Sequence, residues 1–317
     1  MSRLLVKAVS RGTGPLVMEA IQGGGAGGEE GEGEREGEEE RRHLTVTPDE
    51  LVRRLRSGEM QHVKTVAVTT DDQRRALPAW VLDVLAACSE SPDICALELI
   101  RVRMTAEVLA CLPALPGLHL DDVSFTHDDR CAFEAYLSGR TDLSSFTTSQ
   151  PFATSPVCPL ASAALICLLL NNPGLDTLIV QVSDAAGAVD VVRHVPRGIR
   201  KCAVGMPTAP PAIVQMATDS PASRARPIPT LHNVYSDAMV DAIVALLDES
   251  TALEELEIWP FTRTMISLTL GSAPRIIEAL ERNTRITHLN LRAGPHKEML
   301  EILERNRTYA QNDFVLK

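Results

Sequence analysis

A chain of 317 residues, 44% of them apolar, carries enough apolar surface for a sizeable core, and its formal charge of −11 with no basic stripe argues against a nucleic-acid partner. No run of 18 apolar residues is present and the apolar segment 161–170 is too short to span a bilayer, so the sequence predicts a soluble chain with no membrane partner. Seven cysteines at 88, 95, 111, 131, 158, 167 and 202, without any C-x-x-C pair, read as small apolar residues in a reducing compartment, which places the chain in the cytoplasm.

In chain order, residues 1–21 hold a few apolar residues with Arg3, Lys7 and Arg11, and lack the apolar centre and cleavage site of a secretory signal. The next stretch, 23–42, contains eight Gly and eight Glu. Such a composition cannot bury enough surface to offset its ordering entropy, so 1–42 reads as a disordered leader and 43–317 as the ordered domain. Thr47-Pro48-Asp49-Glu50 opens a short helix, 50–57, by capping and first-turn proline logic.

From there one spacing recurs, an apolar residue followed by two more at the third and fifth places: Val63/Val66/Val68, Ile94/Leu97/Leu99, Leu115/Leu118/Leu120, Leu175/Leu178/Val180, Leu253/Leu256/Ile258 and Ile286/Leu289/Leu291. Looser copies stand at Leu143/Phe146/Thr148, Ile199/Cys202/Val204 and Ile228/Leu231/Asn233, so the starts fall about 28 residues apart on average. The last two apolar positions, two residues apart, suit one face of a strand. Helix-period segments lie between the copies, at 77–88, 106–112, 129–137, 159–170, 188–193, 211–217, 237–247 and 274–282, and 296–307 follows the last copy. The sequence therefore predicts an α/β solenoid of about nine divergent strand-helix units, curved, with a parallel sheet on the concave face.

The segments 277–291 and 250–258 resemble leucine-rich repeat proteins of the ribonuclease-inhibitor type, and 299–307 is similar to the closing helix of tropomodulin-like arrays and bacterial leucine-rich effectors. The asparagine that this family sets three residues after the last strand leucine would fall at Val102, Ser183, Phe261 and Gly294, so the turns of this chain must close in another way. Stacked strand-helix units with an extended concave face, and no catalytic constellation, point to a scaffold that binds a protein partner. The effector branch of the resemblance implies, as a second reading, delivery into a host cell and action on host proteins.

No phosphate-cradling loop, nucleophile elbow, H-E-x-x-H or paired Cys/His pattern occurs, so no catalytic residue, metal site or cofactor is assigned. The polar cluster Asp121-Asp122 with His127-Asp128-Asp129 reads as a strand-to-helix loop with acidic residues at a helix start. The competing class is an enzyme with a hidden site in the divergent centre, 151–225, where Cys158 and Cys202 are the candidate nucleophiles. The stronger signal is Glu255, Glu257 and Trp259, which alternate with Leu256 and Ile258 and should share an open face with His288, Asn290 and Arg292. An exposed Trp among charges is the makeup of a protein-binding anchor; the alternative is local packing of Trp259 on Pro260-Phe261. Trp80, at helical spacing with Leu77, Val84 and Leu85, is expected in the core.

Overall fold

The computed structural model describes residues 4–9, 16–22, 41–60, 63–70, 77–149, 159–206, 233–234, 236–260, 266–267, 272–291 and 297–315. Two compact units divide the stretch read above as one domain: Met1–Tyr136 with Asp142–Val157, and Leu137–Thr141 with Cys158–Lys317. Each is an α/β unit built mainly on parallel strands with helices between them.

In the first unit the parallel strands are β4 (Val63–Thr69), β5 (Ala96–Ile100), β7 (Gly117–Asp121) and β9 (Ser145–Ser149). Helices α1 (Pro48–Ser57), α2 (Ala79–Glu90), α3 (Ala106–Cys111) and α4 (His127–Ser138) precede and separate them. Pairing sets Val66, Leu97, Leu118 and Phe146 side by side across the sheet, and Val68, Leu99 and Leu120 in a second row. All of these side chains are buried, each row forming an apolar layer beneath the helices. The leading residues of the motifs, Ile94, Leu115 and Leu143, are buried just ahead of their strands, which start two residues later.

The expected disordered leader, 1–42, is interrupted by strands. β1 (Leu4–Val9) runs parallel to β4, and β2 (Leu16–Gln22) and β3 (Arg41–Val46) add to it in antiparallel fashion. The sequences LLVKAV and LVMEAIQ are rich in β-forming residues, a local signal that the neighbouring Gly/Glu tract obscured. That tract, 23–40, lies outside the described residues.

The second unit repeats the scheme with β10 (Thr177–Gln181), β11 (Lys201–Met206), β13 (Glu255–Pro260) and β15 (His288–Asn290). Its helices are α5 (Ser162–Asn171), α6 (Ala185–Arg193), α7 (Asp237–Glu249), α8 (Ser272–Arg282) and α9 (Lys297–Val315). Leu178, Cys202 and Leu256 form one buried row across it, and Val180, Val204 and Ile258 another. The expected helix at 211–217 and most of the motif at Ile228 lie outside the described residues. Two short extra ladders pair β6 (Arg103–Met104) with β8 (Ser124–Phe125), just after β5 and β7, and β12 (Asn233–Val234) with β14 (Ile266–Ser267).

Helix starts are fixed by side chains that accept from backbone N–H groups three residues on: Thr47 from Glu50, Thr105 from Val108, Thr126 from Asp129, Asp184 from Gly187 and Ser236 from Met239. Trp80, at the second position of α2, is half-buried instead of fully buried, while its neighbour Val81 takes the buried place in the first turn.

Two further devices recur between successive units. First, the carbonyl just ahead of one strand accepts two consecutive N–H groups from the next: Pro116 from Ser144 and Ser145, Asp176 from Arg200 and Lys201, Arg200 from Glu254 and Glu255, and Glu254 from Thr287 and His288. Second, a side chain at the helix end, three residues before the leading apolar residue, reaches back to an earlier turn. Asn172 Nδ2 donates to Arg140 O at 2.8 Å and Asn283 Nδ2 to Leu247 O at 2.8 Å. Asn283 Oδ1 also accepts from the N–H groups of Arg285 and Ile286. Ser250 does both tasks with one hydroxyl, donating to Arg197 O and accepting from Leu253 N–H. At the end of the chain, Asn306 in α9 donates to Asn283 O and Ile286 O.

The strand ends after β5 and β7 also close without an asparagine. The chain bends at Arg101 and Asp122 with left-handed φ of 55° and 49°, and the Thr70 hydroxyl donates to the Arg101 carbonyl.

Asn283 is buried, so its removal strands a carbonyl and two N–H groups away from water. Asn283→Ala should lower the unfolding free energy by about 3 kcal/mol in urea melts, while Glu304→Ala on the exposed side of α9 should change it by less than about 0.5 kcal/mol. Equal stability of the two variants would remove Asn283 from the list of structural ties.

Candidate protein-binding face

On the side of the second unit's strands away from their buried rows, register sets Lys201, Glu255 and His288 side by side, then Ala203, Glu257 and Asn290, and Gly205 beside Trp259. The period of two along each strand, with Leu256 and Ile258 in the core, leaves Glu255, Glu257 and Trp259 half-buried on this face. His288 and Asn290 are half-buried as well. Five of the six residues expected at the interface are thus gathered on adjacent strands, and Arg292 lies outside the described residues.

The charges expected around Trp259 have partners on neighbouring strands. Glu255 is met by Lys201 Nζ at 2.5 Å from the neighbouring strand, and Glu257 Oε1 lies 3.1 Å from His288 Nε2. The carboxylates are therefore partnered within the sheet plane, and such half-exposed pairs orient side chains more than they stabilise the fold. Lys201 was missed from sequence, although it holds the place in the Ile199 motif that Glu255 holds in the Leu253 motif and His288 in the Ile286 motif.

The corresponding face of the first unit carries Glu98, His119 and Thr147 in one row. His119 Nδ1 and Thr147 Oγ1 lie 2.7 Å apart, and burial holds the imidazole below its usual pKa, which favours the neutral ring. Asp121-Asp122 and His127-Asp128-Asp129 form the expected loop and helix start: Asp122 makes the left-handed bend and Asp129 completes the Thr126 cap. Among the described residues no group of three or more His, Cys, Asp or Glu side chains is arranged to hold a metal ion. A shallow depression between α1 and α2 is lined by Asp49, Val52, Arg53, Arg56, Ser57 and Asp83, but its arginines are engaged by Glu50, Glu59 and Glu90.

The nucleophile reading for 151–225 fails at Cys202, which faces the buried row with Leu178 and Leu256. Burial pushes its thiol up to about 12, so the thiolate is scarce at neutral pH. Cys158 lies outside the described residues. No helix of the described residues is long and apolar enough to cross a membrane.

No known protein family matches the chain, and no curated protein matches it. Among solved structures it is similar to the tropomodulin C-terminal domain of Caenorhabditis elegans, at 10% identity over 85% of this chain and 99% of that one, with a TM-score of 0.26. A likeness at that score decides neither fold nor function.

Labelling of the native protein with a maleimide at neutral pH should modify the exposed Cys95, Cys131 and Cys167 readily and spare Cys88 and Cys202, whose thiols burial raises to about 12. Fast, selective modification of Cys202 in the folded chain would restore the enzyme reading.

Proposed function

We propose that this chain is a divergent leucine-rich repeat array of the ribonuclease-inhibitor-like type, a solenoid of strand-helix units that binds a protein partner on its strand face. The observation that carries this reading is the recurrence of the same backbone features in several units: a buried apolar residue two places ahead of the strand, a carbonyl shared by two N–H groups of the next unit at Pro116, Asp176, Arg200 and Glu254, and a side-chain tie at the helix end at Asn172, Ser250 and Asn283. A repeat of this kind keeps apolar side chains on the helix side of the sheet and leaves the other side for recognition.

Within that face, Glu255, Glu257, Trp259, His288 and Asn290, with Arg292 beyond the last strand, are the contact residues. Trp259 is the anchor: the indole N–H has no hydrogen-bond partner among the described residues, and the ring is half-exposed. The paired carboxylates around it fix the rim. Free cysteines in both units suit action in the cytoplasm, whether in the producing cell or, on the effector reading, in a host cell.

The test is affinity capture with the full chain as bait, run in parallel with Trp259→Ala and with Arg56→Ala on the helix side. Truncation of an aromatic anchor costs about 2 kcal/mol or more, so Trp259→Ala should weaken binding of the captured protein by at least about tenfold with an unchanged circular dichroism spectrum. Equal capture by wild type and Trp259→Ala would move the contact surface elsewhere, and a lost fold would make Trp259 a packing residue.

A further inference from the structure

Helix α5, with the sequence SAALICLLLN, contains no charged residue. Its inner face, Ala164, Leu165, Leu168 and Leu169, is buried against the sheet. The opposite face is also apolar: Ala163, Ile166, Cys167 and Leu170 fall at i, i+3, i+4 and i+7, which aligns them in one stripe. Ala163 and Cys167 are exposed, Ile166 is half-buried, and Leu170 is 64% exposed. A helix that is apolar all round ordinarily has cover on both sides. Other outer helix faces of the chain are charged instead: Arg56 meets Glu90 between α1 and α2, and Arg275 and Arg282 on α8 meet Asp241 and Asp248 on α7.

We propose that this stripe is a self-association face, on which α5 of one copy packs antiparallel to α5 of a second copy about a two-fold axis. The pattern is self-complementary. An axis passing between Ile166 and Cys167 sets Ala163 of each copy opposite Leu170 of the other, and Ile166 opposite Cys167, so that a small residue meets a large one at every position. α5 itself brings no charged side chain to the axis. One helix face is smaller than the roughly 800 Å² per partner of a standard interface, so the dimer is a weak, reversible one. The stripe lies on the helix side of the second unit, and the inference is independent of the strand-face reading.

Sedimentation velocity of the full chain under reducing conditions tests it. The dimer fraction of the wild type should grow between about 5 and 200 µM. Leu170→Glu and Ala163→Lys, both at exposed positions, should each weaken association by tenfold or more while leaving the circular dichroism spectrum unchanged. The double variant Ala163→Lys with Leu170→Glu should dimerise again at low salt, because the antiparallel register sets the new lysine opposite the new glutamate. The proposal is overturned by a wild type that stays monomeric at about 200 µM, which would assign the stripe to a different protein. It is equally overturned by a Leu170→Glu variant that associates like wild type, or by a double variant as monomeric as the single ones.

Discussion

The structure depends on how one strand-helix unit is joined to the unit before it. A parallel strand pair leaves polar backbone groups at the turn where the helix ends and the next strand begins, and that turn is packed under apolar side chains such as Leu175, Leu253 and Ile286. Buried N–H and C=O groups must find partners or cost about 1–3 kcal/mol each. Asn172, Ser250 and Asn283 answer that demand from one position in their units, reaching back to the carbonyls of Arg140, Arg197 and Leu247. Asn283 and Ser250 hold their own turn at the same time. Asn306 in α9 continues the series, its amide donating to Asn283 O and Ile286 O.

This joint also decides what the outer strand face can be. Because the ties lie at the turns and the apolar rows lie beneath the helices, residues at the alternate strand positions are released from packing duties. In the second unit those positions hold Lys201, Glu255, Glu257, Trp259, His288 and Asn290, and their charges are satisfied laterally, strand to strand. A face built this way presents oriented polar groups around one aromatic ring. Recognition there would rest on the fit around Trp259 more than on long-range attraction.

Much of the fold was legible because the apolar spacing acts locally. Leu97 and Leu99, or Leu256 and Ile258, mark a strand face by their separation alone, and the strand follows its leading apolar residue by the same interval in both units. The helix-end ties were legible in principle: Asn172 and Asn283 each stand three residues before Leu175 and Ile286. The leucine-rich repeat pattern instead sets its asparagine after the strand, where this chain has Val102 and Ser183. Lateral pairing was less legible, because the contact of Lys201 with Glu255 spans more than fifty residues of chain and requires the register to be known. Strands β1 and β2 were hidden for a different reason: a Gly/Glu tract beside them dominates the composition of the whole segment.

Native-state hydrogen exchange in increasing denaturant is the most direct measurement of the joint between units. Ile286 N–H is held by Asn283 Oδ1, and Asn283 is itself tied to Leu247 in the preceding unit. If that bridge makes neighbouring units open together, the amides of Ile286 and Leu256 will exchange with the same free energy and the same denaturant dependence. An Ile286 amide that exchanges at a much lower free energy, with little denaturant dependence while Leu256 stays protected, would show that the last unit opens alone and that the bridge does not couple the units.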